Sequence, residues 1–408
     1  MNPVQRLTDE QIEELGLELD ALHDEIKADL GDRDAAYIRG IIDLHRRLGL
    51  IGRALLVGAR LEPAWAAGVA TLSLAKILEN MEIGHNVLHG QWDWMNDPVI
   101  NSSTWDWDTA STSQAWKHSH NYIHHTFTNI RGKDRDLGYD IMRIDPHQPW
   151  HPVYLLQPVY NVILMALFEW GVALHDLDMD AIRSGEKPKR ELLAELRGIA
   201  GKARTQIQKD YVAWPALSAA LSTGARWAAA RLRGRDFDPL DGARRAFMAT
   251  LWADVAANIV RNVWSHAIIF CGHFPDQTYT FSIAETEDET AGARYVRQLI
   301  GAANIEGGPL FHVISGNLGY QVEHHLFPDM PSTRYGEIAP RVREICARYG
   351  LPYNTGPFFK QWGMVQRTIA RLAFPGGKPR PKPGPYKPPV SDGRAQARPR
   401  TPAGRSSV

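Results

Sequence analysis

The stretch Trp116-Lys117-His118-Ser119-His120-Asn121-Tyr122-Ile123-His124-His125-Thr126-Phe127-Thr128-Asn129 places four histidines within eight residues, where chance would put fewer than one. On a helix His120 and His124 are i,i+4 neighbours on one face, and His125 lies about 100° further round. Neutral imidazole suits iron, zinc, copper and nickel, so such a cluster points first to a metal site. A solvated histidine run is the plain alternative, and two similar clusters elsewhere argue against it. Upstream, Glu82-Ile83-Gly84-His85-Asn86-Val87-Leu88-His89 puts His85 and His89 at i,i+4. A zinc protease would need glutamate as general base beside the first histidine, and Asn86 stands there instead. Downstream, in Asn317–Pro328, Gln321, His324 and His325 are spaced i, i+3, i+4.

The bulk of the chain sets the frame for these clusters. At 408 residues it is long enough for two or three soluble domains or one large membrane enzyme. Lysine plus arginine equals aspartate plus glutamate, 46 each, so charge identifies no nucleic-acid or acidic partner. The mean hydropathy of −0.32 is diluted by polar termini. Thirteen tryptophans suit interfacial anchoring as well as ordinary cores. Two cysteines, Cys271 and Cys346, form no framework and no Cys-x-x-Cys motif, so a reducing compartment is the default. The acidic, amphipathic first 34 residues have no signal-peptide core.

Taken in order, Thr8-Asp9-Glu10-Gln11 has the form of a capping box opening a helix to about Leu30. A second helix is expected over Asp34–Leu48, and residues 1–49 read as an amphipathic cytoplasmic docking or membrane-surface arm. Leu50–Leu78 is apolar and suggests two short embedded helices around a Pro63 turn. His23 and His45 stand alone and read as structural. Gln91–Trp107 alternates tryptophans with acidic residues, either as a packed cap or as a wall of the substrate entrance. Trp92 and Trp105 of this stretch, with Trp116 of the central one, are candidate substrate contacts. Arg131–Asp140 reads as a charged turn.

Val153–Leu174 is apolar enough to span, yet parity argues against it. Two further apolar stretches, 211–230 and 246–270, precede the last cluster, and a third crossing would strand that cluster across the membrane from the others. An interfacial or re-entrant segment is therefore expected there. Arg183–Lys209 is basic, as in a cytoplasmic loop, with Lys187, Lys189 and Arg190 as candidates for an acidic head group. Arg231, Arg233, Arg235, Arg244 and Arg245 fit badly in the loop that this topology puts outside. The last apolar stretch carries Asn262, His266 and His273 on one helical stripe. A charged histidine would be costly there, which favours ligation or water-lined burial. His266 is the expected ligand, with His273 and Asn262 as outer or alternative groups. Residues 359–408 read as a helix followed by a disordered basic tail beyond Pro375, able to touch anionic lipid.

The clusters sum to His85, His89, His120, His124, His125, His324 and His325, with His266 as an eighth. Eight imidazoles exceed one tetrahedral zinc but suit two metals. With no haem or iron–sulfur motif, nitrogen-rich ligation at a membrane points to a non-haem di-iron centre that activates O₂. The three motifs His-x-x-x-His, His-x-x-x-His-His and Gln-x-x-His-His, in this order, resemble the histidine boxes of the membrane fatty-acid desaturases over about Leu50–Phe358. Gly90–Asp97, Trp116–Asn129 and Phe270–Pro275 look like the actinobacterial stearoyl-CoA Δ9 branch of that family. The resemblance implies an all-α integral membrane protein with about four transmembrane helices, interfacial helices and a cytoplasmic cap holding two irons. The desaturase domain would span residues 50–358.

It further implies cis desaturation, at Δ9, of a long-chain acyl-CoA such as stearoyl- or palmitoyl-CoA. The box ligands carry over to the seven histidines, while Gln321 replaces a histidine of the animal acyl-CoA enzymes, leaving His266, His273 or Asn262 through water to complete the site. His118 falls outside the pattern. No dinucleotide fingerprint or fused haem-binding segment is present, so electrons would come from a separate NADPH-fed iron–sulfur or flavin oxidoreductase on the cytoplasmic face of the cell membrane. An acyl-lipid desaturase or a di-iron hydroxylase of the same fold is the nearest alternative, and a non-enzymatic metal-binding membrane protein the most distant.

Overall fold

The structure is a computed structural model that describes residues 3–376 and 381–387. Thr8 closes the expected capping box: its hydroxyl accepts the Gln11 N–H at 3.3 Å, and the Gln11 side chain accepts the Thr8 N–H at 3.0 Å. The box opens α1 (Asp9–Ala28). The stripe Leu15, Leu19, Leu22 and Ile26 is buried against Val296, Leu299, Ile338 and Val342, so α1 docks on the body of the protein, and that stripe faces no lipid. A Cβ on Gly292 would lie 2.1 Å from the Ile12 carbonyl, so this close approach of α1 requires glycine.

α2 runs unbroken over Asp32–Val57, where a shorter helix ending at Leu48 is expected from the sequence, so the expected domain boundary at 49/50 falls inside it. Gly49 sits mid-helix without breaking it, because tertiary packing outweighs its propensity cost of about 1 kcal/mol. After a tight turn α3 (Glu62–Ile77) returns antiparallel, then widens into a π-helical stretch, Leu78–His85. The apolar segment expected to be re-entrant is broken at Leu167 into α4 (Gln157–Ala166) and α5 (Phe168–His175). Its two limbs, Pro152–Ala166 and Phe168–Ser184, meet at 102°. α6 (Lys189–Gln206) leads through another widened stretch, Ile207–Ala213, into α7 (Trp214–Leu232). α8 (Pro239–His273) is the longest helix, and with α2, α3 and α7 it forms a four-helix layer.

Among the described residues no single helix is both long and apolar enough to cross a membrane. α3 has only 16 residues, and the other three helices of the layer carry charges, of which those buried between the helices are paired. Arg53 bonds Asp254 and, at 2.8 Å, Asp210; Lys76 meets Asp210 at 2.6 Å; Arg261 pairs with Glu169. Such partners are what a charge in an apolar layer requires.

The remaining elements form a cap over one end of the layer: α9 (Ala291–Gly301), β1 (Asn304–Glu306), α10 (Gln321–Leu326), α11 (Tyr335–Arg348), β2 (Thr355–Pro357) and α12 (Phe358–Leu372). β1 and β2 pair in parallel, the one small sheet among the described residues of an otherwise helical chain. α12, the helix expected at the start of residues 359–408, buries Val365 and Ile369 beside Phe270 and Ile268 of α8. Within the expected tail, Pro381–Lys387 also lies on the cap: the Tyr386 N–H donates to the Leu351 carbonyl at 2.9 Å. Residues 377–380 and 388–408 lie outside the described residues.

Candidate metal centre

Each histidine box sits on a short helical segment where the four-helix layer meets the cap. The central box is wound as a π-helix over Lys117–His124, with the His125 N–H donating back to the His120 carbonyl. An i→i+5 turn brings residues i+4 and i+5 to the same side of residue i, which an α-helix does not do. His120, His124 and His125 therefore converge, with ring centroids 5.0 Å (His120–His124), 5.0 Å (His120–His125) and 5.4 Å (His124–His125) apart. The first box gains the same widening just before His85, and His85 and His89 lie 4.6 Å apart.

The rings fall into two sets. Potential ligand atoms of His85, His89, His120 and His324 all lie within 4.8 Å of one another, and so do those of His124, His125 and His325. His273 joins the second set: its Nε2 is 3.3 Å from Nε2 of His325, and its ring 4.8 Å from His124. The side-chain amide of Gln321 lies 2.9 Å from His273 Nε2, so that nitrogen is free to ligate only when the amide turns its N–H away. A Cβ on Gly272 would lie 2.7 Å from the Gln321 side chain, so glycine lets α10 come this close to α8.

His266 is not in either set. The sequence favours it as the eighth ligand, but it lies seven residues before His273, about 10.5 Å lower along the helix. Its Nε2–H donates to Asn161 Oδ1 at 3.1 Å, and its ring stacks on Phe270 at 3.7 Å. Asn262 likewise turns away, donating to the Ala166 carbonyl at 3.0 Å.

Hydrogen bonds at Nδ1 fix which nitrogen of each ring is free. Tyr335 gives its one hydroxyl proton to the Phe327 carbonyl at 3.1 Å, so at 3.1 Å from His324 it can only accept the Nδ1–H. Gln298 donates its amide to the His125 carbonyl, leaving Oε1 to accept Nδ1–H of His325 at 3.1 Å. Asn86 donates to the carbonyls of Glu82 and Gly316, leaving Oδ1 for His85 Nδ1 at 2.9 Å. Asp136 accepts from His120 at 3.1 Å, and Asp134 from His124 at 3.0 and 3.2 Å. The Nε2 lone pairs of these five rings are thereby left to a ligand. Nε2 of His89, His120, His124, His125 and His324 is buried with no hydrogen-bond partner. An unmet buried polar atom costs about 1–3 kcal/mol, and bound cations would meet these.

Burial and mutual repulsion hold His89, His125, His324 and His325 well below the usual imidazole range, and His85 is lowered to about 3 by the same causes. They are therefore neutral, the form that ligates. Burial also lowers His124, but the Asp134 and Asp136 carboxylates outweigh it and leave the ring raised.

Beside the first set lies a cavity lined by His85, His120, Trp116, Met81, Phe168 and Val172, with Tyr139, Ile269 and Asn262 further along. Trp116 stacks on His120 at 4.6 Å and lines this cavity. Trp92 is fully buried beside Tyr37, Ile38 and Ile41 of α2 and does not line the cavity beside His85 and His120. Trp105 lines a separate surface groove with Arg46, Lys202 and Lys209. Lys187 is held by Glu195 at 2.6 Å and by the Leu177 carbonyl, while Lys189 and Arg190 are exposed and none of the three lines the histidine cavity. His118 is exposed, stacked on Tyr122.

Sequence reasoning missed Asp134, Asp136, Gln298 and Tyr335. The carboxylates carried a usable signal, because ligating histidines are usually oriented by a carboxylate and Asp134-x-Asp136 follows the densest box within a short turn.

Residues 63–357 match the fatty acid desaturase family. The chain belongs to that family. It is 47% identical over 369 residues to the NADPH-dependent stearoyl-CoA 9-desaturase of Mycobacterium tuberculosis, covering 90% of this chain and 82% of that one. The sn-1 linoleoyl-lipid 6-desaturase of a Synechocystis strain is 25% identical, over 73% of this chain and 77% of its own length. Human fatty acid desaturase 3 is 44% identical over 74 residues only, 18% of this chain and 17% of that one. No solved structure matches significantly. The desaturase is thus an oxidoreductase of lipid metabolism, and its family is iron- and O₂-dependent and typically membrane-associated.

Proposed function

We propose that this desaturase inserts a cis double bond at Δ9 of a long-chain saturated acyl-CoA such as stearoyl-CoA. Two irons are held by the two histidine sets, and electrons come from a separate NADPH-dependent reductase. The observation that carries this reading is the cavity with His85 and His120 in its wall. An apolar chain lying there passes directly beside one histidine set. The acyl-CoA and Δ9 assignments are supported by the stearoyl-CoA 9-desaturase of M. tuberculosis, which is far more similar to this chain than the acyl-lipid enzyme. Four crossings by α2, α3, α7 and α8, with the cap on the cytoplasmic face, suit the exposed apolar surface at Leu217, Leu221, Trp252 and Ile259.

Bound iron supplies the O₂ activation that removes hydrogen from unactivated methylenes. The chain's own residues do the rest. His85, His89, His120 and His324 would hold one ion, and His124, His125, His273 and His325 the other. Asp134, Asp136, Asn86, Gln298 and Tyr335 hold the Nδ1 protons, so that the Nε2 atoms stay ligating throughout turnover. Trp116, Met81, Phe168 and Val172 shed water from the acyl chain and orient it, since a displacement of about 1 Å costs rate steeply.

The test is to supply labelled stearoyl-CoA, NADPH and the reductase to membranes containing the protein, then locate the double bond. A single Δ9 product that requires O₂ is expected. A hydroxylated product would make the protein a hydroxylase, and iron-loaded protein without O₂-dependent turnover would overturn the reading.

A further inference from the structure

Asn262 and His266 form a polar stripe on α8 that the histidine centre does not use. Both face the bent pair α4–α5. His266 donates to Asn161, in the middle of α4, and Asn161 donates in turn to Gln366 of α12 at 3.4 Å. Asn262 donates to the carbonyl of Ala166, the last residue before the break at Leu167. Phe168, the first residue beyond the break, packs edge-on against the His266 ring at 5.3 Å. The bend is tight as well: a Cβ on Gly171 would lie 2.2 Å from Leu164. The limb that follows the bend supplies Phe168, Val172, His175 and Asp176 to the wall of the cavity beside His85 and His120.

An imidazole and an amide buried among aromatic and aliphatic groups are expensive unless they meet fixed partners. Here those partners are one α4 side chain and one carbonyl at the bend, so the stripe locks the bend in a single geometry. The wall beyond it then has one position relative to the histidines. Neighbouring methylenes of an acyl chain are chemically alike, so such a wall is what selects among them.

We propose that Asn262 and His266 are positioning residues: through Ala166 and Asn161 they hold the bend between α4 and α5, and so set the register of the acyl chain against the metal centre. This rests on the desaturase reading above, and it separates these two residues from iron ligation.

The experiment compares His266→Ala, Asn161→Ala and His266→Gln with the wild type and with His273→Ala. The readouts are iron per chain, hydrogen exchange over residues 157–175 and double-bond position. His266→Ala and Asn161→Ala should keep wild-type iron and exchange faster over 157–175. They should also place about a tenth or more of the product at neighbouring carbons, which leaves no more than about 1.4 kcal/mol between the competing barriers. His266→Gln, whose amide still reaches Asn161, should restore the single position, and His273→Ala should lose iron. Loss of iron from His266→Ala to the level of His273→Ala would overturn the proposal, and so would unchanged product position with unchanged exchange. If His266→Ala does not accumulate, Asn161→Ala on the opposite helix carries the same readouts. A wild-type protein that desaturates nothing refutes the proposed function instead, while exchange and iron content still test the bend.

Discussion

Asp134 is the carboxylate on which the second histidine set leans most, and Asp134→Asn isolates its role without changing side-chain volume. Both of its oxygens accept His124 Nδ1–H, at 3.0 and 3.2 Å. One also accepts the Asn129 N–H at 2.7 Å, and the other the Asp136 N–H at 3.0 Å. An amide has one oxygen, so whichever way the substituted side chain turned, its NH₂ would face a backbone donor. If that NH₂ also displaced the His124 contact, the ring would switch tautomer and present Nε2–H to the metal. A buried hydrogen bond to a charged group is worth about 1.5–3 kcal/mol, which corresponds to roughly 10–100-fold in affinity. The cost falls on the set His124, His125, His273 and His325, while Asp136 still orients His120 in the other. Titration against a competing chelator should therefore show iron falling from two per chain toward one, with turnover falling in step. Wild-type affinity at both sites in Asp134→Asn would refute the argument that this carboxylate sets the tautomer.

Val172→Trp fills the cavity wall beside Trp116, so the ratio of sixteen- to eighteen-carbon product should rise about 10-fold; an unchanged ratio in product analysis removes Val172 from the acyl path. Burial raises the Asp176 carboxyl to about 6 against the bonds it accepts from Ser111 and Ser119. The folded state then binds more protons than the unfolded state between about pH 4 and 6, so this group's contribution to stability declines as pH rises through that window. Asp176→Asn should flatten the melting temperature over that range relative to wild type, and parallel curves would contradict the assignment. Reporter tags after Gly138 and after Pro331 should lie on one side of the membrane and a tag beside Asp238 on the other; opposite sides for the first two would break the shared-centre topology.

The boxes were legible because each is a local pattern. Spacing alone aligns His85 with His89, His120 with His124 and His324 with Gln321, and family membership follows from the three patterns in order. The capping box at Thr8 is local too. The break within 153–174 was legible for a different reason: three clusters that share a centre must lie on one side, which forbids an odd crossing. Spacing could not decide between His266 and His273. Both lie on one stripe of α8, and ligation depends on the level, about 10.5 Å apart, at which the other boxes meet that helix. The cap sets which of the two rings lies beside the boxes: Gln321 and His325 arrive from a segment some fifty residues on and lie against His273. The π-helical widening at Lys117–His124 was hidden in the same way, because packing around the centre, and no propensity of those residues, makes an i→i+5 turn the one that gathers His120, His124 and His125. Asp134 and Asp136 looked like surface charges in a turn. Only when the chain folds back do they lie under two imidazoles, where burial turns a solvated carboxylate into the group that decides which nitrogen can bind a metal.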